Sequence, residues 1–247
     1  MKFLRTGLNE DYFKQIDSEE KAYFLGFIVA DGCIVKDKDT TIKKAQNRLV
    51  ISIQNRDGYI LEIINNRISP YKKLQNWTYV GHPLWSKRVT FKINSNKLCN
   101  DLETLGVTSM KSGNEQFPII DKLLMRHFVR GYFDGDGCCY VKTINKICKH
   151  GGKLKVKVIF TCLNEKFLEE LQKELEGIGI IKKIIKKGNR QDVFQYTIEN
   201  KKDVPTFFHY IYNNSNLFLK RKYEKFLYGN PELINIIINV NSVETSS

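Results

Sequence analysis

Apolar positions along this chain recur with two different periods. Arg48-Leu49-Val50-Ile51-Ser52-Ile53-Gln54 alternates strictly, which predicts a strand with one buried face. Ile60, Leu61, Ile63, Ile64 and Ile68 then follow at helical spacing, with Asp57 near the helix start. Ahead of these lie a strand at Cys33–Val35 and a charged loop over Lys36–Lys44. Behind them, strands are expected at Leu74–Val80 and Trp85–Ile93, joined through Gly81-His82-Pro83, and then a helix at Ser95–Leu105. The same order comes round again after Gly113–Pro118, which reads as a linker. Cys138–Ile144, a Lys/Gly-rich loop over Lys146–Lys153 and Leu154–Cys162 precede Asn164, an N-cap for a helix carrying Phe167, Leu168, Leu171 and Leu175. Strands at Ile180–Lys186 and Val193–Ile198, joined through Gly188-Asn189-Arg190, lead into a helix near Val204–Tyr212.

The expected architecture is therefore α+β: an αββαββα unit in tandem, residues 1–113 and 114–247, with a polar tail from about residue 239. Each half supplies a four-stranded antiparallel sheet with helices on one face and the other face free.

The helices that open the two halves carry the chemistry. Phe24-Leu25-Gly26-Phe27-Ile28-Val29-Ala30-Asp31-Gly32 and Val129-Arg130-Gly131-Tyr132-Phe133-Asp134-Gly135-Asp136-Gly137 both close on Asp-Gly, 105 positions apart. One such helix with an Asp-Gly stop is commonplace; two at corresponding places mark a duplication. Gly32 and Gly137 suit a left-handed helix stop. A carboxylate in the last helical turn faces the negative end of the dipole, where a cation is usually preferred. Gly26 with Ala30, and Gly131 with Gly135, give small-residue faces that let two helices approach closely. Pairing them would bring Asp31 and Asp136 together, and two like charges at short range need a cation between them. Hard oxygen ligands in an open site suit Mg²⁺.

Charge adds the class of partner. With 40 Lys and Arg against 27 Asp and Glu, the net charge is +13, which points to an acidic polymer, most often nucleic acid. The cations fall where a free sheet face and its turns would present them: Arg48, Lys72, Lys73, Arg88 and Lys92, then Lys142, Lys153, Lys155, Lys157, Lys186 and Arg190. Lys153, Lys155 and Lys157 share one face of one strand. Strands of this kind fit the major groove, where Gln54, Arg48, Lys92, Lys157 and Gln195 are placed to meet base edges. The N-terminus lacks a secretory apolar core, and no apolar run suffices to span a bilayer. Six cysteines without a CxxC pair read as buried or incidental thiols, and Cys138, Cys139, Cys148 and His150 match no zinc spacing. Asp134-x-Asp136-Gly137 fails as a Ca²⁺ loop, since Cys139 and Asn145 stand where Gly and Glu are needed. No HExxH or phosphate-binding loop is present.

The segments ending Ala30-Asp31-Gly32 and Gly135-Asp136-Gly137 resemble the two signature motifs of the LAGLIDADG homing endonucleases, as do the repeated order and the basic charge. Phe218-Leu219-Lys220-Arg221-Lys222-Tyr223 is similar to a basic segment late in many members. The resemblance implies a monomer with a pseudo-twofold axis between the motif helices and two sheets forming a DNA-binding saddle. It implies cleavage of both strands of a long asymmetric duplex with Mg²⁺, which Mn²⁺ or Ca²⁺ can replace in the site, leaving short 3′ overhangs. The metal positions it carries over are Asp31 and Asp136, with Ala30 and Gly135 just before them. Lys111, Lys222 and Gln54 are the candidates to organise solvent at the scissile phosphates, with Thr161 or Cys162 in the second half's polar place. One departure stands out: the first motif's earlier acid is Val29, whereas the second keeps Asp134. A nucleic-acid-binding protein on the same scaffold, such as an intron RNA maturase or a DNA-binding regulator without cleavage, is the competing reading. Retention of both Asp31 and Asp136 favours the nuclease.

Overall fold

The computed structural model describes residues 7–36, 46–77, 87–109, 113–144, 153–187 and 192–233. Lys111, Gly81-His82-Pro83, Gly188-Asn189-Arg190, Cys148, His150 and the tail lie outside these residues, as do most of the two expected Lys-rich loops. The chain divides into two compact units, residues 1–136 and 137–247.

The first unit is built on a helix pair. Helix α1 (Glu19–Asp31) starts where Ser18 Oγ accepts from Lys21 N at 3.3 Å, with Glu19 and Glu20 in its first turn. All nine residues from Ala22 to Ala30 are buried, so this helix is apolar around its whole girth. It feeds directly into β1 (Gly32–Val35), then β2 (Arg48–Gln54), a 3-10 turn (Asn55–Asp57), α2 (Tyr59–Ile68), β3 (Gln75–Trp77), β4 (Arg88–Asn94) and α3 (Asn96–Thr104). The antiparallel sheet runs β1-β2-β4-β3. Leu49, Ile51 and Ile53 alternate with half-buried residues along β2 and pack with Ile34, Val89, Phe91 and Ile93 into a core closed by α2 and α3. Helix α4 (Lys122–Asp136) begins where Asp121 Oδ1 accepts from Leu123 N. By sequence α4 opens the second repeat; by packing it lies along α1 and completes the first unit.

In the second unit, β5 (Cys138–Ile144), β6 (Lys153–Cys162), α5 (Glu165–Glu176), β7 (Ile185–Lys187), β8 (Val193–Ile198) and α6 (Asp203–Tyr212) follow the same plan, with sheet order β5-β6-β8-β7. Asn164 caps α5 through Lys166 N at 3.1 Å. Val156, Val158, Phe160, Tyr196 and Ile198 form the buried sheet face, against Phe167, Leu168 and Leu171 of α5 and Phe207 of α6.

Two expectations change, and one element is added. Gly32 is extended (φ −83, ψ 160) and Gly137 has no positive φ, so neither is a left-handed stop. What Gly32 provides is room, because a Cβ there would lie 2.6 Å from Ile28 O as the helix turns straight into a strand. The strand expected from Ile180 begins only at Ile185; Ile180 is instead buried, and its carbonyl accepts from the Tyr196 hydroxyl at 3.1 Å. The basic segment after Phe218 is a further helix, α7 (Lys220–Gly229), docked on β5 and β6. It fits because a Cβ at Gly229 would lie 2.4 Å from Val156 Cγ2.

Candidate active site and nucleic-acid interface

Glycine sets how closely α1 and α4 meet. A Cβ on Gly26 would stand 2.0 Å from Phe128 O, and a Cβ on Gly131 would stand 2.0 Å from Tyr23 O. These contacts are reciprocal: each residue of one pair lies 105 positions from its counterpart in the other. The helix pair therefore carries a local twofold relation, and at one end of it Gly135 faces Ala30. There a Cβ on Gly135 would lie 2.2 Å from Ala30 Cβ and 3.2 Å from Asp31 Oδ2. The Ala30 methyl thus fills the space that the missing side chain of Gly135 leaves, and the Asp31 carboxylate borders it, one residue before Asp136. Asp31 is half-buried and Asp136 exposed, each the last residue of its helix.

Such a donor set fits a hard divalent cation. Asp31 and Asp136 each end one helix of the packed pair, where helix carbonyl oxygens also end, and among the described residues no group of three or more His, Cys, Asp or Glu offers a complete cage. Mg²⁺ is commonly held this way, through one or two carboxylates with water and substrate phosphate completing the octahedron. Burial pushes the Cys139 thiol up to about 12, and Cys99 and Cys162 are also buried, while Cys33 is half-buried and Cys138 exposed.

The twofold relation fails in the polar groups. Asp134 is fully buried and its Oδ2 accepts from the Tyr23 hydroxyl at 2.9 Å. Arg130, also buried, lies with its guanidinium carbon 5.2 Å from the centre of the Tyr23 ring. Burial pulls its pKa down, while Tyr23 and Asp134 beside it favour the charged form. His127 Nδ1 is 2.7 Å from Arg130 Nη1, and its Nε2 lies 3.1 Å from Arg126 Nε and 3.4 Å from Glu19 Oε1. Burial first, then Arg130 and Arg126, push His127 down to about 3, so it is neutral. At the counterpart positions stand Phe128, Leu25 and Val29, all buried and apolar. The Val29 departure is therefore one member of a whole polar cluster present on one side only. Sequence spacing could have paired these positions, but it carried no sign that Tyr23, Arg130 and Asp134 would meet.

Lys222 is buried, and its Nζ donates to Gly137 O at 2.5 Å, on the peptide immediately after Asp136. Lys111 lies outside the described residues. Gln54 sits at the end of β2 on the open sheet face, in register with Arg88. In the second unit Ser52 corresponds by ladder position to Thr161, which is exposed; Cys162 is buried on the opposite face, and Gln54 corresponds to Leu163.

The open face of the first sheet carries Arg48, Lys92 and Arg88, together with Ser52, Thr90 and Trp77. Lys72 and Lys73 lie in the turn after α2, where Asn65 Nδ2 donates to Lys72 O. On the second sheet Tyr140 pairs with Lys157 and Lys142 with Lys155. Lys155 and Lys157 both reach Glu199 Oε2 at 3.6 Å, while Lys153 continues the same strand. Gln195 Nε2 donates to Thr161 Oγ1 at 3.3 Å. Lys186 stands apart: it is in register with buried Phe194 and pairs with Asp192 at 2.5 Å. Arg190 is outside the described residues. No helix among them is long and apolar enough to cross a membrane.

Comparison with known proteins agrees with this architecture. Residues 124–212 match the family model of the LAGLIDADG-like domain. Among solved structures, the homing endonuclease I-SmaMI bound to its uncleaved DNA target in the presence of calcium ions superposes with a TM-score of 0.59 at 16% identity, covering 89% of this chain and 92% of that one. I-SmaMI bound to cleaved DNA gives 0.58 at 15%, over 89% and 90%. I-AabMI, a LAGLIDADG meganuclease bound to uncleaved DNA, gives 0.55 at 14%, over 89% and 91%. No curated protein matches by sequence. Residues 124–212 are thus a LAGLIDADG-like domain, and the chain as a whole has the LAGLIDADG homing endonuclease fold in its two-motif, single-chain form.

Proposed function

We propose that this protein is a monomeric, site-specific double-strand DNA endonuclease that hydrolyses phosphodiesters within a long asymmetric target and leaves short 3′ overhangs. The observation that carries this reading is the seating of Asp31 against Gly135, which brings the two motif carboxylates to one end of a single helix pair. A pure binding protein has no use for converging carboxylates beside phosphates. Pairing of both motifs within one chain supports a monomer, and the unequal polar groups of its two repeats, residues 1–113 and 114–247, support an asymmetric target.

Asp31 and Asp136, with the backbone at Ala30 and Gly135, hold Mg²⁺, for which Mn²⁺ or Ca²⁺ can stand in. The metal supplies a water of lowered pKa and charge stabilisation for the departing 3′ oxygen. Lys222, fixed by Gly137 O, adds positive charge on the chain segment that follows Asp136. Gln54 and Lys111 order solvent around the phosphate. Cations of the open sheet faces hold the duplex in register through its phosphates.

The test is Mg²⁺-dependent cleavage of a randomised duplex library, sequencing the ends, with wild type beside Asp31→Asn and Asp136→Asn. Double-strand breaks at one long sequence, abolished by either substitution, are expected. Tight binding without breaks in Mg²⁺ or Mn²⁺ would hand the protein to the competing reading, a DNA-binding regulator or a maturase on intron RNA.

A further inference from the structure

On the open face of the first sheet Arg88 is held by its neighbours. Its Nε donates to Ser52 Oγ at 3.1 Å and its Nη2 donates to Ser52 O, so the side edge of the guanidinium is bound to the neighbouring strand. Ser52 Oγ is itself fixed by the Thr90 hydroxyl at 3.0 Å. A guanidinium has two forked edges, and this arrangement leaves the end edge, Nη1 with the second Nη2 hydrogen, directed away from the strand. Arg88 is exposed and lies on β4, an inner strand of the sheet. Phosphates line the rims of a groove, whereas inner strands face its floor. In the same row of the ladder Gln54 stands on one side and Trp77, 60% exposed, on the other.

We infer that Arg88 is a specificity-determining residue that reads a guanine, end edge to O6 and N7, in the major groove of the half-site addressed by the first sheet. A pre-positioned fork suits bidentate recognition, since less side-chain freedom is lost on contact. Among the described residues the second sheet shows no equivalent: by ladder position the place of Arg88 falls to Val193 and that of Gln54 to Leu163. A guanine fixed by this row is therefore expected in one half-site and absent from the matching place of the other. The inference rests on the duplex-binding reading above.

The experiment is selection of bound duplexes from a randomised library in Ca²⁺, by wild type, Arg88→Ala, Arg88→Lys and Ser52→Ala, with the salt dependence of binding measured on the selected site. Wild type should enrich one G·C pair, and Arg88→Ala should lose about ten- to a hundredfold discrimination there while still enriching the rest of the site. Ser52→Ala, which frees the fork without removing it, should blunt the same position. Base preferences that are identical in all four proteins would overturn the inference, as would an Arg88→Ala loss that is uniform across sequences and lowers the salt slope by about one. If wild type enriches no sequence at all, the duplex reading itself fails and takes this assignment with it.

Discussion

The Tyr23 hydroxyl donates to Asp134 Oδ2 at 2.9 Å across the α1–α4 contact, while Phe128, the residue related to Tyr23 by the repeat, has no hydroxyl to give. This bond joins the two motif helices in one direction only. Tyr23→Phe is expected to cost about 1–3 kcal/mol, because Asp134 stays buried with a donor lost. Asp134→Ala should cost more, about 3–5 kcal/mol, since Arg130 is left buried beside it. Restoring the motif acid by Val29→Asp should also destabilise, for its surroundings correspond to Leu25 and Phe128 in place of Arg130 and Tyr23. Urea unfolding of the four proteins checks the order.

Gly26→Ala and Gly131→Ala should each destabilise by about 3 kcal/mol or more, because the new methyl meets backbone oxygen at 2.0 Å and no rotamer change can relieve it. Reciprocal geometry predicts similar losses at the two sites. Equal thermal midpoints for mutant and wild type would contradict the close approach.

Gly135→Ala acts at the carboxylates. Its methyl would press on Ala30 Cβ and reach within 3.2 Å of Asp31 Oδ2, displacing that carboxylate. Cleavage should fall about 100-fold, the scale of an ångström-sized misplacement, with duplex affinity largely kept. Single-turnover cleavage beside a binding titration in Ca²⁺ separates the two effects.

His127 gives a pH dependence with a definite sign. Its folded pKa is depressed from 6.5 to about 3, by burial first and then by Arg130 and Arg126. Between these values the unfolded chain binds a proton that the folded one refuses, so the neutral imidazole's contribution is full above pH 6.5 and is lost as pH falls toward 3. Glu19 Oε1, 3.4 Å from Nε2, is too exposed to reverse this. Denaturation midpoints should fall with pH across that window, more steeply in wild type than in His127→Gln.

Lys222→Met retains much of the buried stem of the side chain while removing the ammonium from Gly137 O. About 1–3 kcal/mol of stability should be lost. Cleavage should drop by about 10²–10³-fold, as for removal of one charge-stabilising donor, with binding preserved. Lys222→Met that cleaves at the wild-type rate would reduce Lys222 to a structural anchor.

The sequence by itself determined the αββαββα order, the duplication and the two acids, since these depend on local periodicity. Alternation along Arg48–Gln54 is enforced by the pleat, and the same residues form β2. Asn164 caps α5 because its side chain needs only the backbone two residues on. Tertiary structure decided what depends on which residues meet. Gly32 looked like a helix stop, yet its lack of a side chain serves a crowded turn into β1. The assignment of α4 to the first unit, the one-sided cluster of Tyr23, Arg130 and Asp134, and the anchoring of Arg88 by Ser52 all join residues from separate elements. Side-chain contacts between elements leave no periodic trace in a single chain, because a hydrogen bond across 111 positions is selected by packing and carries no local signature. That is why the two motif aspartates stand out in the sequence while the Tyr23, Arg130 and Asp134 cluster does not.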